Sequence, residues 1–555
     1  MRSLTLFVLL IAVATACSQG GASTPRKSPT AGEPAHTPEP NTTGASAIEV
    51  SHASFRSACS LPQKELIRVW TGYSPERSGD IQYIPQKPNY VGNWQSHSGP
   101  WAYLQQIPMF FYGPGHVPAA GQVARPVTMA DLAPTLAQFL GFDFHALDGE
   151  PMTEAVLPGS DPPKLILTVV WDGGGIDVLD TYPASWPRVE RLLPKGVWFQ
   201  NATVGSSPSV TPAIHTTLGT GAFPRNHGVM DLRFRLDGTL VSTRALVSEY
   251  LQVPTLADLY DLEQENEPVV GMVSAGGTQG MLGHGTLWEG GDRDIAVLNR
   301  RGQFDPGRAV SSIFAFPGYA AEVPGLDEAI RRLDISDGAA DGLWLGDVLP
   351  DASGDLSDTP AFAEYQTAVI EEVIRQEDFG ADEVPDLLFT NYKQIDKVGH
   401  RWGFPTPQME AVVDSSDRAF MDLIDILDRE VGEGEWVIAL TADHGATPLP
   451  ETTGAYPISN FELADDIDAQ FDGDGDDTRV VRDVRPTQGW LNLDELRQNG
   501  HTVDEVARFL MNYTVEQNTE EGKAFGADPD EAVFSAAFPG PALEQLPCLP
   551  ETLTG

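Results

Sequence analysis

Leu165-Ile166-Leu167-Thr168-Val169-Val170-Trp171 runs straight into Asp172-Gly173-Gly174-Gly175. Seven uncharged residues followed by an acid and three glycines read as a strand buried on both faces that ends in a tight turn. The pattern recurs. Asp386-Leu387-Leu388-Phe389-Thr390-Asn391-Tyr392 precedes Asp396, and Trp436-Val437-Ile438-Ala439-Leu440-Thr441-Ala442 ends at Asp443-His444-Gly445. Pro108-Met109-Phe110-Phe111-Tyr112 ends at Gly113-Pro114-Gly115. All four read as buried parallel strands. Helical patterns lie between them, at Met129 to Leu140 before Gly141 and at Met409 to Leu427. Alternating strands and helices predict an α/β fold, a mostly parallel sheet with helices on both faces. Ligands of such sheets bind beyond the carboxyl ends of the strands. Three of the four runs deliver Asp or Asp-His there.

Working outward, residues 230–385 are rich in Gly, Asp and loops and read as an inserted cap beside the sheet. Residues 449–548 read as a second insertion, with a helix from Val503 to Asn512. There is no internal repeat. Asp472-Gly473-Asp474-Gly475-Asp476-Asp477 resembles a calcium loop, but Asp477 stands where glycine is needed, so a solvated acidic turn is the better reading.

The chain has 555 residues with 35 Lys+Arg against 79 Asp+Glu, a net charge of −44. So acidic a surface repels nucleic acid, which argues against a nucleic-acid partner. Only eight of the basic residues are Lys, a bias that salt adaptation or high-GC coding would produce. At the N-terminus, Arg2 precedes the apolar run Leu4 to Val13 and then Ala14-Thr15-Ala16-Cys17. The run is too short to span a membrane as a mature helix. It resembles a bacterial lipoprotein signal, residues 1–17, in which Cys17 becomes the lipidated first residue; an ordinary signal peptide is the alternative. Residues 18–50 hold few large apolar side chains and read as a disordered tether. The expected location is therefore exported: a cell-surface or periplasmic lipoprotein held to a bacterial membrane by its lipid. Cys59 and Cys548 remain. In an oxidising compartment they pair, if the two ends of the folded region meet; otherwise they are two separate buried thiols.

Asp396 and His400 are four apart, so on a helix they share one face and can reach one ion. Asp443-His444 and Asp172, each at a strand end, can point into the same cleft. Carboxylates and imidazoles suit zinc, which takes three or four such ligands at about 2 Å. Thr211 lies in Ser207-Pro208-Ser209-Val210-Thr211-Pro212-Ala213-Ile214-His215. Metal coordination can make its hydroxyl an alkoxide nucleophile, and two ions can clamp a phosphoryl group. The bland reading is that Thr211 caps the following helix, and both can hold.

These residues resemble the alkaline phosphatase superfamily, above all its nucleotide pyrophosphatase/phosphodiesterase and phosphate-irrepressible alkaline phosphatase branches. Thr211-x-x-x-His215, Thr220-Gly221 and Pro224-x-x-His227-Gly228 match the nucleophile segment; Asp396-x-x-x-His400 and Ala442-Asp443-His444-Gly445 match two metal motifs. The resemblance implies an alkaline-phosphatase-like fold and two Zn2+. Asp172, Thr211, Asp443 and His444 would surround one; Asp396, His400 and a further His the other. The family places that His after the Asp-His motif, where nothing fits and His501 has the wrong surroundings. The match is upstream: His97-Ser98-Gly99, with Gly72 to Asp80, Ile107 to Gly115 and Asp131 to Thr135, resembles the family's C-terminal region. The chain thus resembles a circularly permuted member. In a single domain, 51–548, residues 51–142 would be the displaced tail, 143–163 the joint, 164–229 the nucleophile segment and 386–448 the metal motifs. Permutation also implies that Cys59 and Cys548 are neighbours, because they flank the new break.

Two departures matter. Leu232, preceded by Asp231, stands where many relatives hold a phosphate oxygen with Asn. Val273-Ser274-Ala275-Gly276-Gly277-Thr278-Gln279 lacks the Lys-x-Arg pair of the monoesterase branch, whose charge suits a monoester dianion. The expected activity is therefore a phosphodiesterase or pyrophosphatase acting on a small phosphate ester through phospho-threonine, with no obligate protein partner. A phosphomonoesterase on the same site and a non-catalytic metal-binding surface lipoprotein are the alternatives. A sulfatase is disfavoured, because Ser207-Pro208-Ser209 and Thr211-Pro212 lack the Arg of a Cys/Ser-x-Pro-x-Arg context.

Overall fold

The computed structural model describes residues 48 to 550, apart from 49, 93–94, 244–245, 286–292, 301, 306, 308–309, 350–354 and 520–527. The signal segment with Cys17, and the tether up to residue 47, lie outside the described residues. Among the described residues, no helix is long and apolar enough to cross a membrane.

A nine-stranded sheet forms the centre. Its order is Gln303–Phe304, Ile295–Arg300, Val270–Ala275, Asp386–Tyr392, Leu165–Trp171, Trp436–Thr441, Met109–Tyr112, Val197–Phe199 and Gly121–Val123. The five strands from Ile295–Arg300 to Trp436–Thr441 are mutually parallel. Their register aligns their ends: Tyr392 pairs with Trp171, and Thr441 with Val170. Alternate side chains of the buried Leu165–Trp171 strand face opposite layers. Leu165, Leu167, Val169 and Trp171 join a core with the helices Pro360–Gln376 and Pro407–Leu427. Ile166 and Val170 join the opposite core with Leu132–Leu140, Thr211–Thr220 and Leu256–Glu263. This is the α/β, two-faced arrangement read from the sequence.

Two expectations need correcting. Met109–Tyr112 pairs antiparallel with Trp436–Thr441 rather than parallel. Its three buried residues and one half-buried residue suit either direction, and an apolar run does not encode which way a strand points. Residues 230–385 are not a cap lying beside the sheet. They supply three of its strands, Val270–Ala275, Ile295–Arg300 and Gln303–Phe304, although short hairpins such as Arg233–Leu236 with Thr239–Ser242 do sit outside it. Glycine-rich turns around these short strands hid them.

Residues 449–548 build a smaller antiparallel sheet together with the N-terminal part of the chain. Its order is Val481–Arg485, Gln488–Leu491, Ile81–Pro85 and Phe534–Pro539. The helices His52–Ala58 and Gln63–Thr71 pack on the cluster that includes Phe538, Leu543 and Leu546. There the sulfurs of Cys59 and Cys548 are bonded, with Cα atoms 5.9 Å apart across 489 residues of sequence.

Candidate two-metal phosphohydrolase site

The aligned strand ends place the site. Asp172 follows Leu165–Trp171 and is fully buried. The chain then turns at Gly173, whose φ of +75° is in the left-handed region that favours glycine. A Cβ there would stand 3.0 Å from Asp396 Cα, and the Gly173 amide donates to Asp443 Oδ1 at 3.1 Å. Asp443 and His444 follow the next strand. After Asp386–Tyr392 comes Lys393, then the helix Gln394–Arg401, which carries Asp396 and His400 on one face. The Asp396 amide donates to the Asp172 carbonyl at 2.9 Å, tying the helix start to the first strand end.

Thr211 is the first residue of the helix Thr211–Thr220. The residue in the cap position is Val210, and no side chain caps this end. The Thr211 hydroxyl is therefore not spent on a cap; it accepts from Lys393 Nζ at 2.9 Å.

His97 arrives from the other end of the sequence. Its Nδ1 donates to the Ser209 carbonyl at 2.9 Å, and Ser209 Oγ donates back to the His97 carbonyl at 2.9 Å. A carbonyl only accepts, so Nδ1 carries the proton and Nε2 presents a lone pair, 3.4 Å from Asp396 Oδ1. His444 repeats the device: Nδ1 donates to the Gly445 carbonyl at 2.8 Å, leaving Nε2 3.3 Å from Asp443 Oδ2 and 3.5 Å from Asp172 Oδ1. His400 Nε2 lies 3.3 Å from Asp396 Oδ1. The His97 and His444 rings stack with centroids 3.5 Å apart.

The seven residues singled out in the sequence thus converge. Six fall into two triads whose ligand atoms lie within 4.8 Å of one another: His97, Asp396 and His400; and Asp172, Asp443 and His444. Do they fit metal ions? Asp396 Oδ1, Asp443 Oδ2 and His444 Nε2 are buried without a hydrogen-bond partner among the described residues. Three buried carboxylates face one buried ammonium, Lys393. Buried charge so unbalanced is costly unless cations complete it. Orienting a ligand imidazole through its far N–H is also how metal sites are built. The residues fit two ions.

The electrostatics agree. Burial, and then the neighbouring His444, hold His97 well below the usual imidazole value, and burial lowers His444. Burial lowers His400 too, but Asp396 outweighs it and the net shift is upward. Burial raises Asp396, yet Lys393 and His400 overcome this and hold it well below the carboxylate range. Burial and Asp172 push Asp443 up to about 7. Burial opposes charge on Lys393, but Asp172 and Asp396 keep it firmly protonated.

Sequence reasoning missed two members. Lys393 Nζ donates to Asp172 Oδ1 at 2.7 Å and pairs with Asp396 Oδ2 at 2.9 Å, besides Thr211. Asn391 Nδ2 donates to Asp172 Oδ2 at 2.8 Å and to His215 Nε2 at 2.7 Å, while His215 Nδ1 donates to the Thr211 carbonyl at 2.8 Å. Their signal was position: both close a strand whose neighbours end in ligands. His501 stands elsewhere, against Phe471 and Glu505. The Asp472, Asp474 and Glu495 group belongs to the acidic turn and gives no second indication of an ion.

The site opens into a cleft of about 960 Å³. Thr211, Lys393, Asp396, His97 and His400 line it, and Leu232, Gly276, Gly277, Arg300, Phe461 and Arg485 line it further.

A protein named calcium-transporting ATPase from Myroides odoratus is 20% identical over 425 residues, covering 68% of this chain and 73% of that one. Alkaline phosphatase PafA from Elizabethkingia meningoseptica is 31% identical over 331 residues, covering 51% of this chain and 60% of that one. The crystal structure of wild-type PafA aligns with a TM-score of 0.48 at 18% identity, over 63% of this chain and 76% of that one. The model of the type I phosphodiesterase / nucleotide pyrophosphatase family matches residues 166–551, most of the described chain. The chain is a phosphoric ester hydrolase and belongs to the type I phosphodiesterase / nucleotide pyrophosphatase family.

Proposed function

We propose that the protein is an extracytoplasmic two-zinc hydrolase that cleaves phosphodiester or pyrophosphate bonds through a phospho-threonine on Thr211. One observation carries this reading. Asp172 from one triad, Asp396 from the other and the Thr211 hydroxyl all meet at Lys393 Nζ, within 2.9 Å of a single point. A hydroxyl held between two ligand triads is where an in-line displacement at phosphorus needs its nucleophile. Bound zinc would supply Lewis acidity to the phosphoryl oxygens and to the attacking and leaving oxygens.

The chain's residues account for the rest. Thr211 Oγ gives its proton to water and forms a bond to phosphorus as the bond to the leaving oxygen breaks; that oxygen departs with the electron pair and takes a proton back from water. A second water then attacks phosphorus, and Thr211 Oγ leaves. His97, Asp396 and His400 would hold one zinc; Asp172, Thr211, Asp443 and His444 the other. Diester preference is supported by the uncharged Leu232, Gly276 and Gly277 in the cleft wall. Lys393 supports the second reading, a monoesterase, because its charge beside Thr211 suits a phosphate dianion.

The circular permutation belongs to the same proposal. His97 in the site, the Cys59–Cys548 bond and the pairing of Ile81–Pro85 with Phe534–Pro539 support a family tail moved to the front. Lipid attachment at Cys17 is proposed from sequence alone.

The test is zinc content together with turnover of bis(4-nitrophenyl) phosphate and 4-nitrophenyl phosphate, in the wild type and in Thr211→Ala. Two zincs per chain, faster diester turnover and a trapped phosphate on Thr211 are expected. Faster monoester turnover selects the second reading. A folded protein without zinc, or an active Thr211→Ala, overturns both.

A further inference from the structure

We propose that Lys393 is a catalytic residue, whose ammonium orients the Thr211 oxygen for attack and carries positive charge to the phosphoryl group it receives. The proposal rests on Thr211 being the nucleophile.

Lys393 is the residue that joins the rigid strand Asp386–Tyr392 to the helix Gln394–Arg401, so its backbone has little freedom. An ammonium has three protons. Here three oxygens surround them: Asp172 Oδ1 at 2.7 Å, Asp396 Oδ2 at 2.9 Å and Thr211 Oγ at 2.9 Å. The two carboxylates fix Nζ from behind and the third proton is aimed at the hydroxyl. Lys393 also lines the cleft beside Thr211, so it is open to the substrate side.

Consequences follow for the reacting atom. A hydroxyl oxygen that accepts from a cation holds its own proton away from that cation, and the alkoxide left by deprotonation is stabilised where it forms. Once phosphorus is bonded to Thr211 Oγ, that bridging oxygen and one non-bridging oxygen lie near Nζ. The same charge then favours departure of Thr211 Oγ in the second half-reaction. No other cation among the described residues is shown within hydrogen-bonding distance of Thr211 Oγ. Lys397, one helical turn on, is bonded to Asp355 at 2.7 Å. Arg300 and Arg485 also line the cleft, but neither is shown bonded to Thr211. The competing account is that the ammonium merely balances the carboxylates and is displaced when ions bind.

The test uses the zinc-loaded full chain as wild type, Lys393→Met, Lys393→Arg and Thr211→Ala. Zinc per chain, kcat and KM for bis(4-nitrophenyl) phosphate, and equilibrium binding of orthovanadate are measured. Lys393→Met should keep its zinc, lose about 100-fold in kcat with KM little changed, and bind vanadate at least about tenfold more weakly. Lys393→Arg should recover part of both losses. Wild-type kcat and vanadate affinity in Lys393→Met overturn the proposal, and so does loss of zinc, which would make Lys393 a support for the ligands. If Lys393→Met does not fold, Lys393→Gln gives the same reading. An inactive Thr211→Ala beside a fully active Lys393→Met refutes the lysine's role alone; an active Thr211→Ala refutes the nucleophile itself.

Discussion

Gly72→Ala should damage catalysis although Gly72 belongs to no triad. Gly72 ends the helix Gln63–Thr71 with φ of −82°, a conformation alanine adopts freely. The cost is therefore contact alone. A Cβ at this position would lie 1.8 Å from the Ser207 carbonyl oxygen and 2.6 Å from its carbon, where real Cβ contacts stay above 3.0 Å. Both groups are backbone, so no side chain can turn aside. The helix and the loop that leads into Thr211 must separate by about 1.2 Å, against the bonds that join them: Ser207 N to the Arg68 carbonyl at 2.8 Å and Thr71 Oγ to the Gly205 carbonyl at 2.8 Å. Overpacking of this kind costs about 1–3 kcal/mol of stability. The displaced loop carries Ser209, which holds His97, and leads into Thr211. A misplacement of about 1 Å at a reacting group costs on the order of 100-fold in rate. The assay is kcat/KM for bis(4-nitrophenyl) phosphate beside the thermal midpoint. Gly318→Ala, whose Cβ would meet nothing within 4 Å, serves as the control. A Gly72→Ala enzyme with wild-type rate and midpoint would refute the claim that the N-terminal segment braces the loop that leads into Thr211.

Three further outcomes are expected. Asn391→Leu strips the donor from buried Asp172 Oδ2 and His215 Nε2; stability should fall by about 1–3 kcal/mol per abandoned acceptor, and zinc affinity by about 10–100-fold in a chelator competition, whereas unchanged affinity would dismiss Asn391 as an orienting partner. Replacing Cys59 and Cys548 by Ser opens a closure spanning 489 residues, so the guanidinium midpoint should drop by the equivalent of about 5 kcal/mol, and an identical midpoint would mean that the bond does not constrain the unfolded chain. Burial raises the Asp504 carboxyl, but bonds from Ser54 Oγ and the Ser51 amide bring it below the usual value, so its contribution is present above about pH 4 and lost as pH falls through the lowered value; Asp504→Asn should lose on the order of 1 kcal/mol at pH 7 and progressively less in acid, and a loss independent of pH would contradict this.

The strand ends were legible because chemistry and burial change there in one step. Trp171 to Asp172 and Ala442 to Asp443 pass from apolar core to ionisable ligand within one peptide bond. A site built on parallel strands advertises itself in that way, and His97 was singled out because the sequence around it resembles the family's C-terminal region, a resemblance the family match over residues 166–551 does not reach. Direction was not legible: Met109–Tyr112 is buried like its parallel neighbours and runs the other way. Strand membership failed where glycines interrupt the run and crowd its end, as at Gly271, Gly276 and Gly277 around Val270–Ala275. Lys393 and Asn391 were invisible as site residues for a different reason. A lysine three residues before an aspartate is commonly a solvated surface pair, and only the register that brings Tyr392 beside Trp171 sets its ammonium against Asp172.

The most direct measurement is anomalous diffraction at the zinc edge from crystals of the zinc-loaded chain. Two peaks about 4 Å apart are predicted. One should lie within about 2.2 Å of His97 Nε2, a carboxylate oxygen of Asp396 and His400 Nε2; the other should be held by Asp172, Thr211, Asp443 and His444. A single peak, no peak, or two peaks with His97 turned away would contradict the account.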